Sequence, residues 1–217
     1  MKSKALEVNL SDTKINVVID PEYQVLLDIV SSYVGILNRM TIFLQELSHP
    51  YKNWEFIVSE ARHFSLQNFY LYKSHAKGKK ALELFVDIFL KAFKTCPGLK
   101  VKAGVADNLM LFLQHIVKNS KDDLNQFLPV IEKTFLKIES FENKDFDFFV
   151  KSYYQPDKIA GILLDSLKND TKIYKSINRF LIKFYQYSFD YWSSFLIFSK
   201  DFHSRLLGFP YRFSYFE

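Results

Sequence analysis

Residues 79–95, KKALELFVDIFLKAFKT, decide the fold class. Leu82, Phe85, Val86, Phe89 and Phe93 recur every three or four positions, which stacks them on one face of an α-helix. Glu83, Asp87, Lys91 and Lys94 fall on the other side, the cleanest polar face in the chain. Upstream, a helix is predicted over 53–75, with Trp54, Ile57, Val58, Ala61, Phe64 and Tyr72 on one face. Before it, Asp20-Pro21 is a helix start, an N-cap followed by proline at the first helical position. Tyr23, Leu26, Leu27, Val30, Tyr33, Val34, Leu37, Met40 and Leu44 carry that helix's stripe to about Leu47. Downstream, residues 100–118 are apolar over much of their surface through Leu109–Leu113, as a central helix would be.

Ser120 and Asp123 resemble a capping box for a fifth helix, which Pro129 is expected to kink. Further helices are predicted over 144–153, 157–167 and 171–199. His49-Pro50, Gly78, Pro97-Gly98 and Gln155-Pro156 punctuate them. The only β signal is at the start, where Leu6, Val8 and Leu10 alternate with polar residues and Ile15, Val17 and Ile19 follow a Ser11-Asp12-Thr13 turn. The expected fold is all-α, an antiparallel multi-helix bundle or a short array of helical hairpins, with a small N-terminal β hairpin. The hairpin takes residues 1–19, the helical domain 20–207, and 208–217 form a frayed tail after Gly208-Phe209-Pro210-Tyr211.

At 217 residues the chain can bury a large core, and its 48% hydrophobic and 24% charged content is that of a soluble globular protein. The load of 23 Phe and 13 Tyr, with arginine only at 39, 62, 179, 205 and 212, reads as codon bias from an AT-rich genome. Cys96 is the lone cysteine, so no internal disulfide can form and a reducing cytoplasm is the expected location. The first residues lack the apolar core of a signal peptide. No window approaches the roughly 20 apolar residues of a membrane span, so no membrane partner is expected.

Candidate chemistry is sparse. Two Glu-x-x-His pairs occur, Glu46/His49 and Glu60/His63, a spacing that lets a helix offer a carboxylate and an imidazole to one metal. His49 precedes proline, which disfavours helical geometry, and Glu60 with His63 lies opposite Ile57, Val58, Ala61 and Phe64, facing away from a bundle interior. Glu60 and His63 thus remain the weak metal candidates. Gly78-Lys79-Lys80 lacks the glycine spacing of a phosphate loop, and Cys96 sits in a Thr-Cys-Pro-Gly helix end. No catalytic residue and no cofactor is assigned.

Eight lysines, Lys73, Lys77, Lys79, Lys80, Lys91, Lys94, Lys100 and Lys102, face only Glu83 and Asp87 between residues 73 and 102. Such a patch can contact nucleic acid, phosphates or an acidic domain. The absence of arginine and of an aromatic-glycine RNA-binding motif favours a solvated helix face and argues against nucleic acid. Sixteen aromatic residues lie between Tyr174 and Phe216. One helix cannot bury aromatics on every side against a single neighbour. Either the last helix is central, or part of it meets a protein partner through Tyr187, Tyr191, Trp192, Phe195 and Phe198.

Several segments resemble the N-terminal helical region of large bacterial phosphoenolpyruvate/pyruvate-binding proteins, similar to phosphoenolpyruvate synthase and pyruvate phosphate dikinase. They are Asp20-Pro21-Glu22-Tyr23-Gln24, Ser48-His49-Pro50-Tyr51-Lys52-Asn53-Trp54-Glu55-Phe56 and Glu60-Ala61-Arg62-His63-Phe64. Val101-Lys102-Ala103, Ala106-Asp107-Asn108 and Ser152-Tyr153-Tyr154-Gln155-Pro156 add to them, and the whole covers about residues 17–192. None is a catalytic motif. In that family of ATP-dependent phosphotransferases, ATP and pyruvate are handled by later domains. The resemblance therefore implies a non-catalytic accessory domain, or a truncated relative, whose aromatic end meets those domains. A free-standing scaffold binding a protein partner through the same helix is the alternative.

Overall fold

In the computed structural model, which describes residues 4–10, 13–120, 124–166 and 171–197, the chain is predominantly helical. At the N-terminus, β1 (Lys4–Leu10) pairs antiparallel with β2 (Thr13–Ile19), with Leu6 opposite Val17 and Val8 opposite Ile15. β2 rests on α2 (Val34–Ser48).

Asp20 opens the helical part as expected: its carboxylate accepts the Glu22 N–H at 3.1 Å, and Pro21 follows. The predicted 20–47 helix is in fact a short 3-10 turn, α1 (Gln24–Val30), and α2. Between α1 and α2, the Ser31 hydroxyl donates to the Asp28 carbonyl. Serine competes with the helix ladder in this way and favours ends. The predicted 53–75 helix also divides, into α3 (Trp54–Gln67) and α4 (Phe69–Ser74), around Asn68. The α2–α3 connector satisfies its own polar groups. Lys52 Nζ donates to the carbonyls of Leu47 and His49, Glu46 accepts the Asn53 N–H, and the Asn53 side chain caps α3 by accepting from Phe56 N–H.

α5 (Gly78–Thr95) and α6 (Leu99–Asn119) form the centre of the fold, antiparallel across the Cys96-Pro97-Gly98 turn. Both pack on α3, and α6 also reaches the three helices that follow it in the chain. Gly78 is required by contact: a Cβ there would stand 1.6 Å from the Tyr72 carbonyl oxygen. Phe93 is the aromatic hub, fully buried with Phe149 at 4.9 Å, Phe141 at 5.2 Å and Phe148 at 5.7 Å between ring centroids.

α7 (Leu124–Glu139) runs through Pro129; the Asp123 half of the expected capping box lies outside the described residues. α8 (Asn143–Val150) and α9 (Pro156–Ser166) follow. Their connector is pinned by Asp107 of α6, which accepts the Ser152 hydroxyl at 2.7 Å and the Tyr153 N–H at 3.0 Å. α10 (Thr171–Ile197) is the longest element, about 40 Å. It lies along α7 in the same direction, since Ser176 meets Glu132 and Lys183 meets the Glu139 carbonyl seven residues further on. That pair departs from the all-antiparallel expectation, because α8 and α9 carry the chain back before α10 begins. Residues 198–217, including the tail assigned to 208–217, lie outside the described residues.

Candidate functional site

The Glu60/His63 pair is resolved by a residue the sequence reading did not connect to it. Arg39 of α2 forms a bidentate pair with Glu60, Nε to Oε2 at 2.6 Å and Nη2 to Oε1 at 2.7 Å. Its Nη1 lies 3.1 Å from His63 Nε2. A guanidinium can only donate, so Nε2 is the unprotonated, accepting nitrogen. Glu60 does not face away from the core, as expected, but is buried. The expectation placed only one apolar face on α3, whereas α2 covers its flank and brings an arginine there. Burial, then the Arg39 charge, lowers the His63 pKa, while Glu60 opposes the shift. Both carboxylate oxygens and the imidazole acceptor are engaged by one cation. The pair therefore works as a polar clamp between α2 and α3, not as an open metal position. Among the described residues no group of three or more His, Cys, Asp or Glu is placed to share a metal.

Lysines 73–102 do not form one patch. α5 separates Lys79 and Lys80 from Lys91 and Lys94 by about 20 Å. At the first end, Lys73 Nζ donates to the Asn119 carbonyl and Lys77 pairs with Asp28 at 3.0 Å. Near the other end, Lys102 pairs with Asp145 at 3.0 Å and lies 5.1 Å from the Phe93 ring centroid, while Lys91 and Lys100 are exposed. A cleft of about 310 Å³ between α5 and α7 is lined by Leu90, Lys94, Thr95, Lys137, Ser140 and Phe141 among others. Of its three lysines, Lys91, Lys94 and Lys137, the last two have structural roles. Lys137 pairs with Asp87, Lys94 rides over Phe141, and both sit in the last turns of helices whose carbonyl ends carry partial negative charge. Cys96 is buried, and burial raises its thiol pKa while Lys102 opposes the shift, which disfavours the thiolate.

α10 holds the remaining candidates. Tyr187 is half-buried with its ring 5.8 Å from Phe146, so it belongs partly to the core. Tyr191, Trp192 and Phe195 lie on α10 with side chains outside the described residues, and Phe198 lies outside them altogether. Ile173, Ile177, Phe180, Leu181 and Phe184 face inward, Phe180 standing 4.5 Å from Phe135 of α7. Tyr174, Ile182 and Phe189 do not. They are 43%, 41% and 57% exposed and share one outward strip, with half-buried Tyr185 between them. Sequence reasoning missed Ile182, which is not aromatic, and counted Phe189 among the C-terminal aromatics without placing it in the docking set. The seven-residue step from Ile182 to Phe189 was the available signal.

Comparison with known proteins returns no family model, no curated protein and no solved structure that matches this chain. The segments carrying the resemblance to phosphoenolpyruvate/pyruvate-binding proteins occupy structural positions. Residues 48–56 span the α2–α3 connector and the first turn of α3, Glu60 is held by Arg39, and Asp107 anchors Ser152 and Tyr153. No helix among the described residues is long and apolar enough to cross a membrane.

Proposed function

We propose that this chain is a non-catalytic helical docking domain that seats a protein partner on the outward face of α10. The supporting observation is that α10 fills the core with one face and still presents Tyr174, Ile182 and Phe189 on another. An apolar strip of that length on an ordered helix has the composition of an interface. On the resemblance drawn above, the partner is the ATP- and pyruvate-handling part of a phosphoenolpyruvate synthase-like phosphotransfer protein.

Site-specific photocrosslinking tests this. A photoreactive phenylalanine analogue at position 189, incorporated in the native host, is expected to trap one discrete protein. At Tyr153, which is more exposed at 82% but lies on a connector with only the Tyr154 ring beside it at 5.3 Å, it is not. Equal trapping at both positions, or none at 189, contradicts the docking reading. The identity of the trapped protein separates a phosphotransfer partner from an unrelated target of a free-standing adaptor.

A further inference from the structure

We infer that the surface on α10 is built for an acidic amphipathic helix; this rests on the docking reading and names the partner's chemistry. From Thr171 to Phe189 the helix contains no aspartate or glutamate, and Asp190 is the one acid between there and its end at Ile197. On the helical wheel, Tyr174, Ile182, Tyr185 and Phe189 fall within one sector about 80° wide, which half-buried Asn178 shares. The adjoining sector holds Lys175 and Arg179, both exposed, with Lys183 at its inner edge. Lys183 is anchored by donating to the carbonyls of Glu139 and Phe141, which leaves Lys175 and Arg179 as the outward cations.

The apolar ridge from Tyr174 to Phe189 is about 22 Å long. A ridge of that length, stepping by seven or eight residues, fits the apolar seam of a second helix laid along it. A basic row on one flank then selects a partner helix whose corresponding edge carries glutamate or aspartate. This is how flanking charges choose orientation and partner in paired helices. A second copy of this chain laid antiparallel sets its basic row against the same row, and the two repel. An anionic bilayer is the competing occupant. One-sided charge favours the helix, because a membrane-bound surface gains from cations on both flanks of its apolar strip.

Two synthetic three-heptad peptides test the inference. They share a leucine seam; one carries glutamates at the flanking positions and its twin carries lysines there. Fluorescence anisotropy with the full chain is expected to show the glutamate peptide binding at least about tenfold more tightly at low salt, with the advantage shrinking as salt rises. Lys175→Glu with Arg179→Glu is expected to reverse that order. Retention of the preference in this variant would assign it to overall charge and overturn the inference, while docking could stand. Equal binding of both peptides overturns it as well. If Ile182→Ser with Phe189→Ser leaves glutamate-peptide binding unchanged, the docking surface itself is wrong. Binding to phosphatidylserine-containing vesicles, with neither peptide bound, would assign the face to a membrane and overturn the proposal.

Discussion

α5 and α10 are both long, aromatic-rich helices, yet they use their side chains differently. On α5 every phenylalanine is buried, and the opposite face is left to Glu83, Asp87, Lys91 and Lys94. On α10 the inward phenylalanines, Phe180 and Phe184, do the same work, but Ile182 and Phe189 remain on the outside. A helix that only served this core would carry polar residues there, as α5 does. The difference separates apolar residues needed by the fold from apolar residues the fold does not use. Substitutions should therefore divide into two classes by position, not by residue type.

The largest effect belongs to the centre. Phe93→Ala removes a ring that touches three other phenylalanines and is expected to cost about 3–5 kcal/mol in urea unfolding. A loss under about 1 kcal/mol would mean that the centre is loosely packed and the contrast with α10 fails. Next is Gly78→Ala, which forces a methyl against the Tyr72 carbonyl and should cost about 2–3 kcal/mol by pushing α4 from α5. A neutral result would show that this turn relaxes freely.

Arg39→Ala comes third, at about 2 kcal/mol, because it leaves the Glu60 carboxylate buried without its cation. The figure is below that of a fully buried pair because Arg39 is 48% exposed. If Arg39→Ala and Glu60→Gln cost the same small amount, the clamp is a surface pair. A smaller effect follows from His63, whose pKa is lowered in the folded state. Such a group stabilises the fold above its unfolded value near 6.5, and that contribution is lost as pH falls through the lower folded value. The melting temperature should fall between pH 7.5 and pH 5.5, and less steeply in His63→Gln. His115, lowered by burial beside Phe69, adds a component of the same sign that His63→Gln leaves in place.

The helices themselves were legible because period and punctuation agree. Residues 78–95 needed only the spacing of Leu82, Phe85, Val86, Phe89 and Phe93, and Asp20-Pro21 marked the helical start. The breaks after Val30 and at Asn68 were not legible, since the apolar stripe continues through both and only local hydrogen bonding decides them. Glu60 misled because its phase on α3 was judged against one packing face, while Arg39, 21 residues earlier, reaches it from α2. The docking residues were displaced for a similar reason. Tyr187 stood out as an aromatic, but contact with Phe146 draws it inward, and which side of α10 faces α7 is fixed by tertiary contacts such as Ser176 with Glu132.

The most direct test of two apolar faces on α10 is urea unfolding of Ile182→Ser/Phe189→Ser beside Phe180→Ala. The account predicts that the double variant stays within about 1 kcal/mol of the parent, as surface substitutions do, while Phe180→Ala loses about 3–5 kcal/mol. A double variant as unstable as Phe180→Ala would place Ile182 and Phe189 in the core and leave no face of α10 for a partner.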